Sequence, residues 1–173
     1  MQENTVFKSG YVSVAGAPNV GKSTLVNRLV GSKLAIVSPR PQTTRGVIKG
    51  ILTTDSAQII FFDTAGIHTP RNKLGDYMVA AAQMTFQEAD IIYLMVACAQ
   101  PGQDDIDLIE QVKRTGKTTF LVMNKVDLIA KEKLLPLIET YRTMMEFSEI
   151  VPVSAREGDN VDRLLELTVS CLP

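Results

Sequence analysis

The residues best suited to chemistry stand in one string, Gly16-Ala17-Pro18-Asn19-Val20-Gly21-Lys22-Ser23. Its spacing, G-x-x-x-x-G-K-[ST], is that of a loop that wraps phosphate. Glycines let backbone N–H groups turn inward around phosphate oxygens. A helix opening at the end of the loop adds its positive dipole end. Ala17, Pro18, Asn19, Val20, Gly21 and Thr24 are therefore expected to surround the ligand. Lys22 should reach the β- and γ-phosphates, and the Ser23 hydroxyl should coordinate Mg²⁺.

Asp63-Thr64-Ala65-Gly66 suits the same ligand. The Asp63 carboxylate can hold Mg²⁺ through water, and the Gly66 N–H can meet a γ-phosphate. Thr43 and Thr44 lie between the two strings, and one of their hydroxyls, assigned to Thr44, can complete the Mg²⁺ shell. Lys22, Thr44 and Gly66 are candidate catalytic residues.

Asn124-Lys125-Val126-Asp127 suits a purine base. Guanine offers its N1–H and its 2-amino group as donors, and the Asp127 carboxylate can accept both. Adenine cannot supply that pair. Asn124 can support the N7 side and tie its loop to the phosphate loop. The Lys125 stem can lie over the base plane. In Ser154-Ala155-Arg156 the Ala155 N–H can meet O6. A wrong base would leave a buried carboxylate unpaired, so such a site discriminates strongly.

Each string follows an apolar run. Tyr11 to Ala15 reads as a buried strand, and Ser23 to Val30 as a helix stopped by Gly31. Residues 33–46 read as a loop. Val47–Leu52 and Gln58–Phe62 read as a hairpin turning at Thr53–Ala57. After an irregular stretch from Asp63 to Asn72, helical spacing runs from Leu74 to Glu88. Ile91–Ala97 reads as a strand buried on both faces. Asp104–Arg114 is helical, Thr118–Met123 is a strand, and Lys131–Phe147 is mostly helical, with Pro136 near its first turn. Ile150–Val153 is a short strand. A last helix starts near Asp159 as N-cap and runs to Leu172, with Val161, Leu164, Leu165, Val169 and Leu172 as its apolar face. Strands alternating with amphipathic helices imply an α/β sheet wound on both faces. Ligands of such sheets sit beyond the carboxyl ends of the strands, where every string above falls.

Composition narrows the class. The chain has 173 residues, 45% hydrophobic and 21% charged, which suits one globular domain and excludes a disordered, collagen-like or membrane-embedded chain. The net charge of -1 argues against a basic nucleic-acid-binding domain. It hides a split: nine basic and three acidic residues give residues 1–75 a balance of +6, and nine and sixteen give residues 76–173 a balance of -7. Cys98 and Cys171 are too few for a disulfide framework, and their apolar neighbours predict two buried small hydrophobes. Met78, Met84, Met95, Met123, Met144 and Met145 read as core filling. No apolar signal core opens the chain, and no run approaches a transmembrane length, so a cytoplasmic protein is expected.

Taken in order, these strings resemble the translation-factor-like P-loop GTPases, and within them the Era family. The most specific piece is Ser38-Pro39-Arg40-Pro41-Gln42-Thr43-Thr44-Arg45, which is similar to that family's switch I. Asp63 to His68, with Pro70 and Asn72-Lys73-Leu74-Gly75, resembles its switch II. The resemblance spans about residue 8 to the end. It implies a three-layer fold: a mostly parallel six-stranded sheet with one antiparallel edge-hairpin strand and helices on both faces. It implies GTP/GDP and Mg²⁺ as ligands and slow GTP hydrolysis in assembly of the small ribosomal subunit. It also implies that residues 1–173 form the GTPase domain, with the family's KH RNA-binding domain not present in this chain. A naturally short GTPase is the alternative. In the full-length protein the implied partners are 16S rRNA and the small subunit, with peripheral association at the inner membrane face. A monomer that binds no DNA is expected.

Two positions depart from pattern. Ala65 stands where the family usually has proline, and Ile67 where Ras-like GTPases carry a water-orienting glutamine. An apolar side chain cannot orient water, so catalysis needs another source of charge. Asn19 resembles the asparagine that helps bind K⁺ in cation-activated relatives, which makes Asn19 a further candidate catalytic residue and K⁺ a further candidate cofactor. His68 and Arg45 are secondary candidates, as water-orienting group and arginine finger. The competing readings are a GTPase module of another ribosome-assembly or tRNA-modification protein, an ATP-using P-loop enzyme, and a guanine-nucleotide-binding module without turnover.

Overall fold

Four largely apolar runs build the centre of the molecule. In the computed structural model, which describes residues 6–31, 47–63 and 85–173, they are the middle strands of a six-stranded sheet. The strands are β1 (Lys8–Gly16), β2 (Val47–Thr53), β3 (Ala57–Asp63), β4 (Ile91–Ala97), β5 (Thr118–Asn124) and β6 (Glu149–Pro152). Their order is β2-β3-β1-β4-β5-β6. Every neighbouring pair is parallel except β2 with β3, so the expected antiparallel edge hairpin is present. All of β4 but its last residue is buried, because helices cover both its faces.

Those helices are α1 (Lys22–Val30), α2 (Gln103–Lys113), α3 (Lys131–Arg142) and α4 (Val161–Cys171). On one face Leu25, Val26 and Leu29 of α1 and Val161 and Leu164 of α4 pack on Val12, Val14, Tyr93 and Val122. On the other, Leu108, Ile109 and Val112 of α2 and Leu137 and Tyr141 of α3 pack on Ile92, Leu94, Leu121 and Met123. Alternation along each strand divides the apolar side chains between the two cores. Burial on this scale supplies most of the drive to fold.

Several expectations are corrected. The helix from Lys131 stops at Arg142, not Phe147. The apolar residues Met144, Met145 and Phe147 continue the helical spacing, yet they pack on the core from an irregular return. The chain must come back for the Ser148 N–H to reach the Thr119 carbonyl at 2.9 Å and for Glu149 to pair with Phe120. Pro136 sits in the second turn of α3. The N-cap of α4 is Asn160, held at φ 62°, and the Asp159 carbonyl instead accepts the Ser154 N–H. On α4 Leu164 and Thr168 are fully buried, Thr168 bonded to the Tyr93 hydroxyl at 2.5 Å, whereas Leu165 and Val169 are only partly buried. Cys98 is half-buried and Cys171 exposed, so neither is the buried hydrophobe that its neighbours predict. Met95 and Met123 are fully buried, as expected. Residues 32–46 and 64–84, with Met78 and Met84 and most of the helix expected over 74–88, lie outside the described residues. Among the described residues no helix is long and apolar enough to cross a membrane.

Candidate functional site

The five parallel strands deliver their carboxyl ends to one edge of the sheet. There β1 ends at Gly16, β3 at Asp63 and β5 at Asn124. Register fixes their heights: Val14 lies opposite Asp63, Gly16 opposite Met95, and Ala97 opposite Asn124.

Between β1 and α1 the chain turns through Asn19 at φ 64° and Gly21 at φ 104°. Gly21 is the N-cap of α1, so the free N–H groups of the first helical turn face the loop. A side chain at Gly16 would press to 2.7 Å from the Met95 carbonyl oxygen, so only glycine lets the loop leave the sheet there. Lys22 curls back into the loop. Its ammonium donates to the Gly16 carbonyl at 2.6 Å and to the Ala17 carbonyl at 3.4 Å. Burial holds its pKa below the usual lysine range, against the opposing pull of Asp63. Ser23 and Thr24 are exposed in the first turn of α1.

Asp63 stands beside this loop. Burial raises its pKa above the usual 3.8, with Lys22 and Lys49 pulling the other way. Its Oδ1 is buried without a hydrogen-bond partner among the described residues, and its Oδ2 lies 3.9 Å from Lys49 Nζ. Lys49 occupies the register shift between Ile48 and Gly50, an irregularity in an otherwise regular hairpin. An orphaned carboxylate oxygen at the loop whose helix carries the exposed Ser23 hydroxyl offers hard oxygen donors of the kind Mg²⁺ takes.

A cavity of about 400 Å³ opens beside the loop. Asn19, Gly21, Asn124, Lys125, Asp127 and Ala155 line it. The Asn124 amide donates to the Val20 carbonyl at 2.8 Å, and its Oδ1 accepts the Ala155 N–H at 2.9 Å. One buried side chain thus joins three loops, as the sequence predicts for the phosphate loop. The Ala155 N–H, expected to point at a base oxygen, is engaged by Asn124 instead. Lys125, at φ 67°, reaches over the cavity to the Asn19 carbonyl at 3.1 Å. Asp127 is exposed at the mouth and makes no hydrogen bond among the described residues. Its charge adds to the burial that pushes the nearby Cys98 thiol up to about 11.

The fold therefore brings together Ala17, Pro18, Asn19, Val20, Gly21, Lys22, Ser23, Thr24, Asp63, Asn124, Lys125, Asp127, Ser154, Ala155 and Arg156. Thr43, Thr44 and Gly66 lie outside the described residues, as do Ile67, His68 and Arg45. Three contributors carry little sequence signal. Leu128, 74% exposed, adds an apolar wall to the cavity and is foreshadowed only by adjacency to Asp127. Lys49 is placed by the strand irregularity. Arg28 of α1 donates to the carbonyls of Ala155 at 2.6 Å and Arg156 at 2.5 Å, across 127 and 128 residues of chain.

The arrangement can cradle phosphates, present a carboxylate to a divalent cation and offer a second carboxylate to a base edge. Comparison with known proteins agrees with that inventory. Residues 11–125 match the family model described as 50S ribosome-binding GTPase. "GTPase Era" of Ruminiclostridium cellulolyticum is 48% identical over 168 residues, covering 96% of this chain and 56% of that protein. The structure of an Aquifex aeolicus Era variant bound to GDP·AlF4⁻ superposes with a TM-score of 0.81 at 39% identity, over 96% of this chain and 58% of that one. A structure of Era with MgGDPNP and nucleotides 1506–1542 of 16S ribosomal RNA gives 0.82 at 40%, with the same coverage. The chain spans little more than half the length of these relatives. With the strings in order at the strand ends, the chain belongs to the Era family of P-loop GTPases.

Proposed function

We propose that this chain binds guanine nucleotide with Mg²⁺ and hydrolyses GTP to GDP and phosphate, as the switch domain of a factor in small-subunit assembly. The observation that carries the reading is the coupling of the two half-sites. Asn124 bonds both the phosphate loop at Val20 and the 154–156 loop at Ala155, so phosphate and base contacts form one rigid site.

In this reading the loop N–H groups of Ala17 and of residues 19–24 bind the phosphates, and Pro18, which has no N–H, shapes the loop around them. Lys22 exchanges its carbonyl partners for phosphate oxygens. Ser23, Asp63 and Thr44 hold Mg²⁺, which when bound neutralises charge on the β- and γ-phosphate oxygens. Thr43, Thr44 and Gly66 meet the γ-phosphate end. Asp127 accepts the N1–H and 2-amino donors of guanine, the Lys125 stem covers the base, and Asn124, Ser154, Ala155 and Arg156 shape its O6 and N7 side. Ile67 supplies no proton acceptor, so turnover is slow and draws on charge near Asn19.

The small-subunit assignment follows the Era structure holding 16S rRNA rather than the broader family description, which names the 50S particle. A relative at 40% identity is the more specific guide.

The test is single-turnover phosphate release from GTP and from ATP, with Mg²⁺ and with EDTA. Slow release from GTP alone, dependent on Mg²⁺, is expected. Tight GTP binding without release would leave a nucleotide-binding module, and equal use of ATP would remove the base assignment.

A further inference from the structure

The Ala155 peptide is gripped from two sides. Its N–H donates to Asn124 Oδ1 at 2.9 Å, and its carbonyl accepts Arg28 Nε at 2.6 Å. The next carbonyl, at Arg156, accepts Arg28 Nη2. A guanidinium suits this task because its donors are fixed in a plane and can serve two carbonyls at once. Arg28 lies in the last turn of α1, the helix that opens at Lys22 of the phosphate loop.

Gly158 completes the arrangement. It holds φ 88°, and a Cβ there would come 2.9 Å from Arg28 Nη1. The glycine therefore clears the path of the guanidinium. The loop is also closed on itself: the Gly158 N–H donates to the Ser154 carbonyl at 2.7 Å, and the Glu157 N–H to Ser154 Oγ at 3.1 Å. Ala155 and Arg156 both line the 400 Å³ cavity.

We propose that Arg28 is a positioning residue for base recognition, a guanidinium clamp that holds the 154–156 loop in its base-binding geometry from the helix that starts at the phosphate loop. The inference rests on the guanine-nucleotide reading above. Arg28 touches no part of the nucleotide in this scheme. It acts by keeping the loop in the competent state, and a loop competent only part of the time weakens apparent affinity by that fraction. Arg28 is itself solvent-exposed, so the effect is moderate.

The experiment compares wild type, Arg28→Met and Arg28→Lys, measuring equilibrium affinity for GDP and, by competition, for inorganic pyrophosphate, which engages the phosphate loop alone. Arg28→Met should weaken GDP about five- to tenfold, as expected for loss of hydrogen bonds from a charged group, and leave pyrophosphate unchanged. Arg28→Lys should fall between. Unchanged GDP affinity in Arg28→Met would overturn the proposal. Equal losses for GDP and pyrophosphate would also overturn it, because the effect would then pass through α1 and not the base loop. Full recovery by lysine would overturn the two-carbonyl clamp in favour of charge alone. If wild type binds pyrophosphate but shows no preference for GDP, the underlying reading fails, and the clamp with it.

Discussion

Asn124 fills the space that a side chain at Gly21 would need. A Cβ built on Gly21 collides with Asn124 Nδ2, and the same nitrogen donates to the Val20 carbonyl at 2.8 Å. The glycine of the phosphate loop and the asparagine of the base motif are thus a fitted pair. Gly21 has a second reason to be glycine, its φ of 104°.

Removing Asn124 leaves the Val20 carbonyl and the Ala155 N–H without their partner. Asn124→Ala should destabilise the nucleotide-free protein by about 3 kcal/mol. At this chain length that lowers Tm by roughly 6–12 °C. Gly21→Ala should be less harmful in the Asn124→Ala background than in wild type, because the collision is gone and only the backbone strain remains. A double-mutant cycle by denaturant unfolding checks this, and strict additivity would remove the fitted pair.

Asp63 predicts a pH dependence. Its pKa in the folded protein is raised above 3.8, mainly by burial, so the folded state holds its proton more tightly than the unfolded chain. Stability from this group is present below 3.8 and is lost as pH rises through the raised value. Asp63→Asn should abolish that dependence in the ligand-free protein, read as denaturant midpoints between pH 4 and 7. In the proposed site the metal requires the ionised Asp63 carboxylate, so Mg²⁺ affinity of wild type should fall as pH drops through the same window. Calorimetry in buffers of different ionisation enthalpy should detect proton release on Mg²⁺ binding there.

In the proposed reading Asp127 governs base choice. Asp127→Asn should weaken GTP about a hundredfold and favour xanthosine triphosphate, whose base edge presents an acceptor where guanine has its amino donor. Competition binding with the two nucleotides measures the exchange. Unchanged GTP affinity would refute the role of the carboxylate.

Asn19 is exposed in the phosphate loop at φ 64°, with its carbonyl bound to Lys125. If its side chain recruits a monovalent cation, GTP hydrolysis should be faster in K⁺ than in Na⁺, and Asn19→Ala should erase the difference. Equal rates in all conditions would exclude it.

Much of this was legible because it is local. The run Ile91–Ala97 can only be a strand covered on both faces, and the β4 bounds match it residue for residue. Gly31 stops α1 at φ 73°, a positive φ that glycine adopts without strain. The end of α3 was not legible, since Met144, Met145 and Phe147 obey helical spacing while serving the core from a non-helical return. Nor was the exposure of Cys171, whose apolar neighbours face the core while it faces out.

The sequence by itself determined which chemistry this chain carries: the loop glycines, Lys22, Ser23, Asp63, Asn124 and Asp127, and the alternation that sends each to a strand end. Those signals are short-range, so they survive in the linear order. Only the tertiary structure decided how the pieces lock. It paired Asn124 with Gly21, left Asp63 Oδ1 without a partner among the described residues, turned the Ala155 N–H to Asn124, and brought Arg28 to a loop more than a hundred residues away. Such contacts depend on strand register and on which helix face meets the sheet, and both are set by packing the whole chain at once.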